Sequence, residues 1–137
     1  MTNTENLERQ HQDFFDLMNK IAIHKSEQQV KDNASAISLL LSQLSGKLKI
    51  HIISEDKFLY PSLMNNTNPK IKTTSQLFYA EMGGLSQVFE AFKNSFATTN
   101  KIAANSAAFL DESQKVFLAL KKRIEKENKD LYPLLSL

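Results

Sequence analysis

Residues Leu48 to Pro61 read Leu-Lys-Ile-His-Ile-Ile-Ser-Glu-Asp-Lys-Phe-Leu-Tyr-Pro. Within this stretch His51 and Glu55 stand four residues apart, between Leu48 and Leu59 at the same helical phase. On a helix that spacing puts an imidazole and a carboxylate on one face, and that face is otherwise apolar. The stretch also recurs. Leu120 to Pro133 reads Leu-Lys-Lys-Arg-Ile-Glu-Lys-Glu-Asn-Lys-Asp-Leu-Tyr-Pro, and at an offset of 72 eight of the 14 positions are identical. Arg123 takes the place of His51 in the second copy, and Glu127 the place of Glu55.

Outward from this motif the apolar residues keep helical spacing. A helix is expected over about Glu5 to His24, striped by Leu7, His11, Phe14, Met18 and Ile21, with Thr2 and Glu5 as a capping box. A second is expected from Ala34 to Tyr60, with the stripe Ile37, Leu41, Leu44, Leu48, His51, Glu55 and Leu59, and with Pro61 marking its end. After the turn formers Asn65 to Pro69, a third is entered near Thr73 with Gln76 completing a capping box. It carries Phe78, Met82, Leu85, Phe89, Phe92 and Phe96. The fourth follows Asn105-Ser106 and carries Phe109, Val116, Leu120, Arg123, Glu127 and Leu131 before Pro133. Only three Gly and three Pro occur in 137 residues, which fits long helices. The expected fold is a single all-α domain over 1–137. It is an up-down-up-down antiparallel four-helix bundle of two similar helical hairpins related by a pseudo-two-fold axis.

Composition excludes several functions. There is no cysteine, hence no disulfide, thiolate metal site, iron–sulfur cluster or cysteine nucleophile. Seventeen basic against 15 acidic residues leave a formal charge of +2, too weak and too evenly spread for a nucleic-acid or membrane-surface partner. The polar start, Met1 to Asp13, has no apolar signal region, and a cytoplasmic protein is expected.

Five polar residues fall on the stripes: His11, His51, Glu55, Arg123 and Glu127. Imidazole and carboxylate groups converging from neighbouring helices can grip one divalent cation. The same residues admit blander readings: an intrahelical His51–Glu55 hydrogen bond, a solvated Arg123–Glu127 pair, and a core-edge His11.

These pieces together resemble the hemerythrin-like cation-binding family, over about Leu7 to Leu135. His51 to Pro61 is similar to that family's second-helix motif, and Arg123 through Glu127 to Pro133 to its fourth-helix copy. His11 corresponds to the first-helix histidine. The third-helix Glu-His reads Glu81-Met82 here. The resemblance implies two oxygen-bridged irons inside a bundle, used to carry, sense or store dioxygen or to respond to nitric oxide or iron. It assigns His11, His51, Glu55 and Glu127 to the first iron, with the carboxylates bridging. Both histidines of the second iron are gone, to Met82 and Arg123. The expectation is an incomplete site with one ion (iron, with Mn or Zn as alternatives) or none, in a sensing or binding module rather than an enzyme. A small diatomic ligand, a homodimer contact or a protein partner would go with it. In place of the missing second iron the Arg123 guanidinium would supply positive charge to Glu55 or Glu127, and Met82 would fill space; in a metal-free scaffold Arg123 would bridge both carboxylates.

Tyr60 and Tyr132, before the matched prolines, are read as caps on the ends of the core. His24 is read as a surface residue, and Gly83-Gly84 as close packing against a neighbour. The phenylalanine row of the third helix is read as core.

Overall fold

The computed structural model describes residues 3–136. Among these every regular element is helical. Four long helices carry the stripes: α1 (Asn3–Ala22), α3 (Ala34–Ser54), α5 (Pro69–Ser95) and α7 (Ser106–Lys126). Three short ones punctuate them: α2 (Glu27–Asp32), α4 (Tyr60–Met64) and α6 (Thr99–Ala104). The helical segments therefore outnumber the four expected.

The differences have local causes. The Ser26 hydroxyl accepts from the Gln29 backbone N–H and Thr98 does the same for Lys101, and these N-caps start α2 and α6. Each short helix is anchored by one fully buried side chain, Val30 or Ile102. The third long helix begins at Pro69 rather than near Thr73, because Asn68 caps it through Lys70 N–H and Pro69 suits the first turn. Thr2, half of the first expected capping box, lies outside the described residues.

Pro61 does not end its helix. A proline ring clashes with the carbonyl four residues back and offers no N–H to it. The chain answers with a π-helical turn over Glu55–Leu59, in which Tyr60 N–H reaches back to the Glu55 carbonyl. The helix then continues as α4, with Pro61 in its first turn. The same π-turn recurs at Glu127–Leu131, closed by Tyr132 N–H on the Glu127 carbonyl, and a 3₁₀ turn over Tyr132–Ser136 follows. The repeat thus reaches well beyond 14 residues. Glu27–Asp32, Ala34–Ser54 and Glu55–Leu59 return 72 residues later as Thr99–Ala104, Ser106–Lys126 and Glu127–Leu131.

Neighbouring long helices run antiparallel in the pairs their contacts define. Gln10 meets His51 while Asp13 meets Lys47. His11 meets Glu127 while Asn19 meets Lys121. Glu81 meets Arg123 while Phe92 meets Phe117. The core falls into two apolar clusters. The larger holds Phe14, Met18, Leu44, Leu48, Phe92, Phe117 and Leu120, and the smaller holds Leu7, Leu59, Tyr60, Phe78, Leu131 and Tyr132. His11, His51, Glu55, Arg123 and Glu127 are buried between flanking residues of the two clusters, a polar layer inside an apolar stack. Phe78, Phe89, Phe92 and Phe96 are all buried, as expected for core.

Candidate metal centre

α1 contributes His11 and the last turn of α3 contributes His51. The two π-turns open on Glu55 and Glu127. His11 Nε2 lies 3.1 Å from His51 Nε2 and 3.0 Å from Glu127 Oε1. His51 Nε2 is 3.9 Å from the same Glu127 oxygen and 3.4 Å from Glu55 Oε1. Donor atoms of His11, His51 and Glu127 all lie within 4.8 Å of one another. Glu55 stands at the edge of this group, against His51, and its Oε2 accepts a hydrogen bond from the Tyr132 hydroxyl at 2.9 Å.

Both imidazoles are oriented from behind. His11 Nδ1 donates to Asn128 Oδ1 at 2.8 Å, and His51 Nδ1 donates to Gln10 Oε1 at 2.7 Å. An amide oxygen only accepts, so each Nδ1 carries a proton, and each Nε2 is left to bind a cation when its ring is neutral or to donate to a carboxylate when the ring is charged. The two inward Nε2 atoms, 3.1 Å apart, need a proton or a metal ion between them. Two donors each about 2.1 Å from one ion are about 3.0 Å apart at a right angle and about 3.4 Å apart at the tetrahedral angle. The observed separations of 3.0 and 3.1 Å therefore fit a common ion. A donor set of two imidazoles and a carboxylate suits iron, manganese or zinc.

Met82 and Arg123, the two positions at which the resemblance expects histidines, both lie inside. Met82 is buried in the larger apolar cluster, as expected of a filler. Arg123 is only 7% exposed and points inward. Its Nε donates to Glu127 Oε2 at 3.3 Å, Nη1 to Glu81 Oε2 at 3.1 Å, and Nη2 to the Phe78 carbonyl at 2.6 Å and Tyr60 Oη at 3.3 Å. The guanidinium carbon lies 4.5 Å from the centre of the Phe78 ring. This excludes the solvated-pair reading. It also corrects the expectation that Arg123 bridges both buried carboxylates: its second carboxylate is Glu81, whose side chain is 53% exposed, and not Glu55.

The electrostatics separate the two buried glutamates. Burial opposes ionisation of Glu127, but hydrogen bonds from His11 and His51, aided by the charges of His11 and Arg123, hold its pKa down to about 2. Glu55 is pushed upward by burial and by the charge of Glu127, against the hydrogen bond from His51. For His51 burial disfavours the charged ring, yet Glu127 and Glu55 outweigh it and the pKa rises to about 9. Burial, with the charges of both carboxylates, also drives Tyr132 far above the usual phenol range.

Sequence reasoning missed Gln10, Asn128 and Tyr132. Each amide is the chain neighbour of a ligand candidate, Gln10 beside His11 and Asn128 beside Glu127, but each serves a histidine on another helix. Tyr132 is corrected from a mere cap: its hydroxyl lies 3.0 Å from His11 Nε2 and 3.3 Å from His51 Nε2. In an α-helix a residue five positions after Glu127 would lie about 140° around the axis. The π-turn brings it back over the same face. His24 is half-buried, with Nδ1 donating to the Ile21 carbonyl at 2.9 Å. Close packing does not explain Gly83 or Gly84, since a Cβ at either would meet nothing within 4 Å. α5 also runs through both without a bulge. Gly83 instead borders a cleft of about 120 Å³ that reaches Glu55, Tyr60 and Met82.

No helix among the described residues is long and apolar enough to cross a membrane. Comparison with curated proteins and with solved structures gave no significant match. The family model of the hemerythrin HHE cation-binding domain matches residues 2–135. A buried layer of histidine and glutamate within an all-helical chain is what a domain of that description requires, and the chain belongs to the hemerythrin HHE cation-binding domain family.

Proposed function

We propose that this protein is a hemerythrin-like metal-binding and sensing module with an incomplete di-iron site, holding one ion per chain. His11, His51 and Glu127 would hold that ion, with Glu55 at its edge. Iron is the assigned metal, and manganese or zinc are tolerated by the same donors. The bound metal would supply an open coordination position for a small diatomic ligand such as dioxygen or nitric oxide. The chain's own part is to keep both Nε2 lone pairs inward through Asn128 and Gln10, to exclude water, and to neutralise Glu127 from its other side with Arg123.

The observation that carries this reading is the division of Glu127: Oε1 faces the two histidines and Oε2 takes the Arg123 guanidinium. One oxygen is left for a metal, and a fixed organic cation stands where a second metal would be. The reading includes an up-down-up-down bundle whose two hairpins are related by a pseudo-two-fold axis, supported by the 72-residue repeat of α2–α3 in α6–α7. It also places the protein in the cytoplasm.

Elemental analysis of protein grown with ample iron tests it. One equivalent of iron per chain is expected, falling to background in His51→Ala. Equal metal in both samples would remove this ligand set. Absence of metal from both would favour the second reading, a metal-free scaffold, for which the lack of any unpartnered buried side-chain N or O atom among the described residues speaks. A visible band that shifts on exposure to nitric oxide would then separate sensing from a purely structural ion.

A further inference from the structure

Tyr60 and Tyr132 occupy the same place in the 72-residue repeat, each at the close of a π-turn that opens on a buried glutamate. Each hydroxyl meets a cationic or metal-directed group of the other helical hairpin. Tyr60 Oη accepts from the Arg123 guanidinium, and Tyr132 Oη faces the two inward imidazole nitrogens at 3.0 and 3.3 Å. A phenol has one proton to give, and the Tyr132 proton is directed at Glu55 Oε2, 2.9 Å away. The histidine protons are committed to Asn128 and Gln10. A metal takes neutral imidazoles, and in that state no proton lies between Tyr132 Oη and either Nε2, so three lone-pair atoms stand within 3.3 Å of one another with room for one ion. Those spacings are the ones that neighbouring ligands of a single ion take up. The phenol ring also stacks on His11, with centroids 5.2 Å apart and planes inclined by 13°, which keeps its oxygen aimed into the group.

We infer that Tyr132 is a direct ligand of the bound ion, through its phenol oxygen. The inference rests on the metal-binding reading above. It makes the centre an iron(III)–phenolate site with two imidazoles and Glu127, completed from the 3₁₀ turn that follows the second π-turn. On ligation the Oη–H bond breaks, the oxygen pair that held the proton goes to the metal, and Glu55 Oε2 takes the proton. No electron is transferred. Glu55 is thereby assigned as the proton acceptor of the site, which accounts for its standing apart from the three converging donors.

The test loads the full chain with iron(III) and compares wild type, Tyr132→Phe and Tyr60→Phe by visible absorption, resonance Raman and iron affinity. Wild type is expected to show a phenolate-to-iron band with enhanced tyrosine ring modes. Tyr132→Phe should lose both and bind iron about 10–100-fold more weakly, while Tyr60→Phe should keep them. Stoichiometric iron in wild type without tyrosine modes would overturn the inference and leave the metal-binding reading intact. Modes that survive in Tyr132→Phe, or vanish in Tyr60→Phe, would overturn it as well. Wild type that binds no iron would overturn both. The Raman measurement on wild type decides even if a variant does not fold.

Discussion

Gln10 on α1 accepts a 2.7 Å hydrogen bond from His51 Nδ1 on α3, so the side chain next to one candidate ligand orients the other. Partners of this kind fix the tautomer of a metal-binding imidazole and raise its basicity. Replacing Gln10 with Ala should therefore lower metal affinity by about 10–100-fold while leaving the helical content unchanged. Competition titration against a chelator, alongside circular dichroism, measures both.

Arg123 is a buried cation with a buried carboxylate, a half-exposed carboxylate and a backbone carbonyl as partners. Removing one member of a buried pair leaves an uncompensated charge, and Arg123→Ala should destabilise the fold by about 3–5 kcal/mol. A guanidinium on the surface would cost less than about 1 kcal/mol. Arg123→Lys keeps the charge but cannot serve four acceptors with one planar fork, so it should fall between the two. Denaturant melts of the two variants decide.

Stability of the metal-free protein should depend on pH through the same layer. The His51 pKa of about 9 in the fold stands above its ordinary value of 6.5, so the folded state holds that proton more tightly than the unfolded chain. The stabilisation, on the order of 3 kcal/mol, is fully present below pH 6.5 and is lost as pH rises through 9. Glu127 acts at the other end: its pKa near 2 is below the ordinary 4.5, and its contribution fades as pH falls through that interval. The raised pKa of Glu55 works against this acid loss. Melting temperatures of chelator-treated protein should fall on the alkaline side, and His51→Gln should flatten that limb.

Gly46 and Gly84 lie exposed within α3 and α5, and an added Cβ meets nothing within 4 Å at either. Helical glycine costs about 1 kcal/mol relative to alanine. Gly46→Ala and Gly84→Ala should each stabilise by about that amount, and the double variant by about the sum. Thermal melts would show an increase in both. Gly83→Ala should stabilise in the same way, in the same melts, while narrowing the cleft that Glu55 lines.

The stripes of apolar residues and the 72-residue repeat were legible without coordinates, because helical phase is a property of one segment of chain. Phase alone put His11, His51, Glu55, Arg123 and Glu127 on the buried stripes, and the family resemblance marked Met82 and Arg123 as the positions where the second histidine pair is lost. It could not say that Arg123 takes Glu127 and Glu81 but leaves Glu55, since that depends on how far α5 is displaced along α7. Nor could it read the π-turns: Pro61 and Pro133 look like helix stops until the widened turn before each absorbs the clash. That turn, with the register between α1, α3 and α7, decided that Tyr132, Gln10 and Asn128 meet the histidines. Spacing within a helix tells which residues share a face. Which residues share a site is settled by packing between helices, where one turn of slip exchanges every partner.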